Sequence, residues 1–387
     1  MILTNARLIF ADRIARGSLR LAGGKIVTVS EAPLSAEPGE ESVDLGGRLL
    51  APGFIDLHIH GALRRDTMEA DAEAFETICG YHALGGTTSL ALTTAAATTQ
   101  EITRVLAAAK AYRQAPRGAG AQLLGVHLEG PYFSKDKPGA HSLELIRAPQ
   151  RAEWQGWLEY AEDITQMTLA PELPGALELI EALVAANIRV SGGHSNAWDE
   201  DAAEGFAHGM RQVTHTFNCM SAARHRGPYR VAGLLEFAMS EPDILCELIA
   251  DGRHVSPTLM RMLYLAKGPE GIALITDAAA GAGLAEEAHF ELAGQTCVVR
   301  DGVGLSLDGK SLAGSTSTMM RCVANMVNLV GISLPEAVGM ATRNPARALG
   351  LEDSKGALAP GADADLIVFN DQFELSQTFI AGRAIPR

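Results

Sequence analysis

Between residues 52 and 345 the chain repeats one pattern, a short apolar and β-prone run followed by a longer stretch of helical spacing. The runs fall at 54–59, 87–92, 122–128, 166–169, 188–191, 212–217, 244–249 and 272–276, which makes eight. Most intervals carry Ala, Leu and Glu at helical spacing, as in 99–112 and 175–186. Strands that alternate with helices make a parallel sheet, either open and doubly wound or closed into a barrel. No G-x-G-x-x-G follows the first run, and eight repeats is the number of a closed barrel, so the reading is an α/β (β/α)8 TIM barrel. The stretch 290–312, with turn pairs at Asp301-Gly302 and Asp308-Gly309, is expected to be a β-hairpin inserted after the eighth strand, on the active-site face.

The two chain ends read differently. Residues 1–51 and 361–387 alternate short apolar runs with turn pairs such as Gly23-Gly24 and Gly46-Gly47. Neither end has enough strands to bury a face alone, so the two are expected to build one small β-sandwich. The expected division is 1–51 (sandwich), 52–345 (barrel) and 346–387 (sandwich).

Composition sets limits on partners. A net charge of −14 argues against nucleic-acid binding and against attraction to anionic membrane, either of which needs a broad basic surface. The five cysteines, Cys79, Cys219, Cys246, Cys297 and Cys322, are scattered and form no CxxC pair. They read as ordinary thiols of a reducing compartment. With no signal-peptide pattern and no apolar run long enough to span a bilayer, a cytoplasmic protein is expected.

A barrel does its chemistry at the C-terminal ends of its strands. Here the first run ends in His58-Ile59-His60, the third in His127-Leu128-Glu129, the fifth in Gly193-His194, the sixth in Thr214-His215 and the eighth in Thr276-Asp277. Residues two apart on a strand face the same way, so His58 and His60 both point into the barrel. One histidine at a strand end signifies little, but donors at the ends of strands one, three, five and six together point to a divalent metal. Imidazole and carboxylate suit zinc and also iron or manganese. Asp277 is read as general acid and base, because amide hydrolysis needs a group that takes a proton from water and delivers it to the departing amine. His82 and His208 are read as solvated helix histidines, His127 as a core residue or a partner to a ligand, and His289 as carrying no signal. Glu172 stays open, since it could simply cap the helix that follows.

These motifs resemble those of the N-acetylglucosamine-6-phosphate deacetylases of the amidohydrolase superfamily: APGFIDLHIHG (51–61), HLEGPYF (127–133), KPGAH (137–141), SGGHSNA (191–197), THTFNCM (214–220), ADGRHVSP (250–257), LITDA (274–278), SLAGSTSTM (311–319), ATRNPARALG (341–350) and GALAPGADADLIVF (356–369). The resemblance runs over nearly the whole chain. It implies that Glu129, His194 and His215 hold the main metal, that His58 and His60 belong to a second site found in some members, and that one or two ions bind per subunit. It further implies that Ala140, His141, Asn218, Cys219, His254 and the loop Leu312, Ala313, Gly314 contact a phosphorylated amino sugar. Arg226 would bind the phosphate from the neighbouring subunit of a homodimer. From the residues alone Arg226 is one member of a basic loop cluster, 224–226, to which Lys135 and Lys137 would add.

Residues 62–67 depart from the glycine-rich stretch common in the family, so Arg64 and Arg65 are left either touching ligand or facing solvent. The expected reaction is removal of the acetyl group from N-acetyl-D-glucosamine 6-phosphate. The competing readings are the galacto epimer, an unphosphorylated amide or cyclic imide, and a metal-containing barrel that only binds.

Overall fold

The computed structural model describes residues 1–115 and 118–386. Eight parallel strands pair in one sheet: β1 (Phe54–Ile59), β2 (Thr87–Thr93), β3 (Gln122–Glu129), β4 (Ile164–Leu169), β5 (Arg189–Gly192), β6 (Gln212–Val213), β7 (Leu245–Ile249) and β8 (Ile272–Ile275). Beyond β8 the sheet meets its own first strand. The Asp277 N–H donates to the His58 carbonyl at 3.0 Å, and the His60 N–H to that of Ala278 at 2.8 Å. The alternating pattern therefore produces a TIM barrel. One strand is shorter than its apolar run suggests: β6 stops at Val213 because His215 (φ 32°), Phe217 (φ 81°) and Cys219 (φ 49°) take left-handed backbone, which an extended strand cannot contain.

Helices cover the outside and are started by local chemistry. In α1 (Ala72–Leu84) the Asp71 side chain accepts the Ala74 N–H, and in α2 (Thr99–Gln114) Thr98 and Glu101 form a reciprocal capping box. Phe75 and Ile78 of α1 are fully buried in the same cluster as Leu90 and Leu92 of β2, worth roughly 1.5–3 kcal/mol for each large side chain. None of the described helices is long and apolar enough to cross a membrane.

Both chain ends enter a second eight-stranded sheet. Strand Leu49–Pro52 pairs antiparallel with Leu366–Phe369, and the sheet curls until Lys25 bridges Asp363. Leu3, Leu8, Leu19, Leu50, Leu366 and Phe379 fill its own core. The excursion after β8 is larger than one hairpin. It is a four-stranded antiparallel meander, His289–Leu292, Gln295–Arg300, Val303–Ser306 and Leu312–Ser315. Its first turn is Ala293-Gly294, both at positive φ, and alanine there carries none of the usual turn signature.

His82 corrects the sequence reading, which put it at the surface. It faces inward from α1, 1% exposed, and its Nε2–H donates to the Gly61 carbonyl at 3.2 Å. His208, in contrast, is partly exposed and bonds the Glu204 carbonyl of its own helix. Burial pushes the His82 imidazole down to about 4, only partly offset by the Gly61 bond. The unfolded chain takes this proton near pH 6.5 and the folded chain only near 4. The stability held by neutral His82 is therefore complete above 6.5 and is lost as pH falls from there toward 4. Relative to its own value at pH 7, the stability of His82→Gln should fall by about 2 kcal/mol less than that of the native chain at pH 5, read from denaturant unfolding. Parallel losses in the two proteins would contradict it.

Candidate active site

Five strands deliver polar side chains to one mouth of the barrel, from their C-terminal ends or from just beyond them. His58 and His60 come from β1 and the residue after it, Glu129 from the end of β3, and His194, His215 and Asp277 from just beyond β5, β6 and β8. His194 (φ 47°), His215 (φ 32°) and Asp277 (φ 50°) all adopt left-handed backbone, which costs a non-glycine residue on the order of 1–3 kcal/mol. Surrounding contacts hold that strain. Glu172 accepts from Ser195 Oγ at 2.7 Å and from the Asn196 N–H at 2.6 Å, so it fastens the loop carrying His194; the helix that follows is capped at Gly175 instead.

Glu129 is the hub. Its Oε1 lies 3.0 Å from His215 Nε2, 3.3 Å from His194 Nε2 and 3.5 Å from His58 Nε2, and its Oε2 lies 3.2 Å from His60 Nε2 and 3.4 Å from His141 Nε2. His194 Nε2 and His215 Nε2 are 3.0 Å apart, and Asp277 Oδ1 is 3.5 Å from both His58 and His60. Donor atoms on a tetrahedral ion with bonds of ~2.0–2.1 Å stand roughly 3.4 Å apart. The spacing of Glu129, His194 and His215, and of His58, His60 and Asp277, matches that edge. The ligand atoms of the second group all lie within 4.8 Å of one another, as do those of Glu129, His141 and His194. These donors fit one or two divalent cations.

The far nitrogens separate ligand-like histidines from donors. His194 Nδ1 donates to the Lys137 carbonyl at 2.9 Å, which leaves the Nε2 lone pair facing the cluster. His141 is the reverse, since its Nδ1 accepts the Ala96 N–H at 3.2 Å and the proton must sit on Nε2. Burial also pushes His141 down to about 4, so it is a neutral N–H donor. Burial works against charge on His58 and on Glu129, yet their proximity wins. Glu129 and Asp277 hold His58 well above a free imidazole, and the surrounding histidines hold Glu129 well below the usual carboxylate range. His127 bonds Thr168 Oγ1 at 2.7 Å and stacks edge-on against His58 at 4.6 Å, a satisfied core histidine.

Of the residues the resemblance singled out, Ala140, His141, Asn218, Cys219, His254, Leu312 and Gly314 line one cavity with the cluster. Ala313 does not; it is buried against Phe290 and Ala279 in the inserted meander. His254 is held by Asp251, whose Oδ2 meets its Nδ1 at 2.6 Å. Arg226 is also elsewhere, on an exposed two-stranded hairpin, paired with Glu200 and lying 4.0 Å over the Trp198 ring. Arg64 bonds the His289 carbonyl and Arg65 pairs with Glu69 and Asp71, so neither lines the cavity. Sequence reasoning missed Asp251, Asp56 and Glu247. Asp56 sits below His58 on β1, bonded to Thr276 Oγ1 at 2.6 Å, and burial pushes its carboxyl up to about 7. A lone acidic residue inside an apolar strand was the available signal. Two roomier hollows, about 440 and 760 Å³, share Arg189, which begins β5 at the opposite end of the barrel, and neither is lined by any of these donors.

The Amidohydrolase family model matches residues 49–385. The chain is 35% identical to the N-acetylglucosamine-6-phosphate deacetylase of Mus musculus, over 99% of this chain and 94% of that protein. It is 34% identical to the N-acetylgalactosamine-6-phosphate deacetylase of Escherichia coli O157:H7, over 94% and 93%. A mutant N-acetyl-D-glucosamine-6-phosphate deacetylase from Mycobacterium smegmatis, solved in complex with N-acetyl-D-glucosamine-6-phosphate, superposes with a TM-score of 0.90 at 30% identity, covering 100% of this chain and 99% of that one. The match spans the whole barrel and its metal-type donors, and the chain belongs to the amidohydrolase family.

Proposed function

We propose that this chain removes the acetyl group from N-acetyl-D-glucosamine 6-phosphate, giving glucosamine 6-phosphate and acetate, with one or two divalent ions, zinc first among them. The observation that carries the reading is the convergence of Glu129, His194 and His215 beside His58, His60 and Asp277 in a chain that aligns end to end with such deacetylases. Glu129, His194 and His215 would hold the main ion, and His58, His60 and Asp277 would face a second. When bound, a divalent ion here polarises the acyl oxygen and lowers the pKa of water toward ~7.

The rest is done by the chain. Asp277 takes a proton from the attacking water as its oxygen bonds to the acyl carbon. The same proton then goes to the nitrogen as the C–N bond breaks, so the neutral amine leaves together with acetic acid, which gives up its own proton to the solvent and becomes acetate. His141, with its proton fixed on Nε2, donates to the acyl oxygen as negative charge gathers there. His254, oriented by Asp251, faces the sugar. Ala95, Gly139 and Leu292 help close the cavity around the reacting group.

The phosphate lacks a partner in this picture, because none of the described residues lining the cavity is a lysine or arginine. Arg226 fills that gap in a homodimer, reaching the neighbouring subunit's cavity from its hairpin. Its pair with Glu200 is solvent-exposed and therefore weak, so exchanging it for a phosphate dianion costs little. A cytoplasmic setting agrees with the five unpaired thiols.

Acetate release should vanish on chelation and return with zinc, and should favour N-acetylglucosamine 6-phosphate over both its galacto epimer and the unphosphorylated sugar. Loss of phosphate preference would leave only a generic amidohydrolase. Asp277→Asn should lower kcat by about 10²–10⁴-fold with little change in KM, measured in the same assay. Arg226→Ala should mainly raise KM for the phosphorylated sugar. Because each cavity would borrow Arg226 from its partner, mixing and reassociating Arg226→Ala with Asp277→Asn subunits should restore about a quarter of native activity. No recovery on mixing would place Arg226 outside the neighbouring site.

A further inference from the structure

Strand β7 carries one charged side chain, Glu247, in an otherwise apolar and wholly buried run. It projects into the barrel and is 0% exposed. Its Oε1 accepts N–H bonds from Gln166 Nε2 at 2.8 Å and Gln212 Nε2 at 2.6 Å. These two amides cannot turn over. Gln212 Oε1 accepts the Arg189 Nε–H at 2.7 Å, and Gln166 Oε1 accepts from Gln212 Nε2 at 2.9 Å. A buried carboxylate is thus pinned by donors that are themselves pinned, back to the first residue of β5.

The other oxygen, Glu247 Oε2, has no hydrogen-bond partner among the described residues. Neither has His58 Nδ1, and the two atoms are 3.5 Å apart. His58 presents its opposite nitrogen, Nε2, to Glu129 and Asp277 at 3.5 Å. The ring therefore stands between a fixed carboxylate on one side and the cluster on the other. His194 has the same arrangement with a neutral backbone carbonyl in place of the carboxylate. The far nitrogen of His215 meets no partner among the described residues, so His58 differs from His194 and His215 in turning its far side to a carboxylate.

We infer that Glu247 is the positioning residue for the His58, His60, Asp277 group: it takes the Nδ1–H of His58, so that the Nε2 lone pair is the one offered to a cation, and it makes that nitrogen more basic. Partners of this kind are worth about 10–100-fold in metal affinity. The inference rests on the metal-dependent reading above and goes beyond it, because it assigns a role to a residue that touches neither substrate nor ion and acts through His58.

The test is zinc binding, not turnover. Metal-free native protein, Glu247→Gln, His58→Ala and the double variant are titrated with zinc against a chromogenic chelator, and bound zinc per chain is counted. Glu247→Gln should weaken one binding step by about 10–100-fold, while the double variant should bind no more weakly than His58→Ala alone, since the effect passes through that ring. Equal affinity in Glu247→Gln and native protein overturns the inference. So does an equal loss with and without His58, which would make Glu247 a general charge or a packing residue. If Glu247→Gln does not fold, Gln212→Met keeps the carboxylate and removes one of its donors; it should weaken the same step several-fold in the same cycle, and no change overturns the inference. Native protein that binds no zinc would instead sink the metal-dependent reading itself, and this assignment with it.

Discussion

The burial of acidic side chains in the barrel controls much of what this protein can be. Glu129, Glu247, Asp56 and Asp277 all lie within a few side chains of one another, and each is less than a tenth exposed. Taking a carboxylate out of water costs several kcal/mol unless something positive or well-directed meets it. The barrel meets each one differently. Asp56 is bonded by Thr276 and pushed toward neutrality, Glu247 is fixed by two glutamine amides, and Glu129 is ringed by imidazoles. Burial works against charge on His58, but Glu129 and Asp277 hold its imidazole well above the ordinary value. A cation would compete with protons for such donors, so metal affinity would depend on pH through the same side chains.

Holding such a cluster requires strain to be tolerated where the strands end. Three of its residues, His194, His215 and Asp277, sit in left-handed backbone immediately beyond β5, β6 and β8. That conformation turns the side chain off the strand direction and across the mouth of the barrel. It persists because neighbouring groups fasten the loops, Glu172 on the His194 loop and the barrel-closing bonds of His58 and His60 on the Asp277 turn. Gly139 packs so close to His194 that an added Cβ would stand 3.0 Å from its Cε1, so the loop bearing Ala140 and His141 can lie against the cluster only with glycine there. The cluster is thus built from strand ends and the turns just beyond them, and the loops supply the rest of the cavity wall.

Much of the architecture is readable in the primary structure for simple reasons. Strand and helix periods are local, so eight apolar runs and their helical spacers locate β1 to β8 closely, and alternation along β1 already places His58 and His60 on one face. Donor residues at strand ends are local as well. The failures share a cause. His82 looks like any helix histidine until Gly61 and the barrel close over it, and Glu172 looks like a cap until the loop of Ser195 and Asn196 arrives from 23 residues away. At Ala293-Gly294 only the glycine advertises a turn, and the alanine beside it takes positive φ without any local signal.

What the sequence by itself determined, then, is a closed α/β barrel with imidazoles and carboxylates at its working end, because those properties depend on periodicity and on residue type. Only the tertiary structure decided which nitrogen of each imidazole faces the cluster, that His141 is a donor while His194 offers a lone pair, that Glu247 stands behind His58, and that Arg226 lies away from its own cavity. Those facts depend on what a side chain meets across the barrel, and such meetings join residues that lie far apart along the chain.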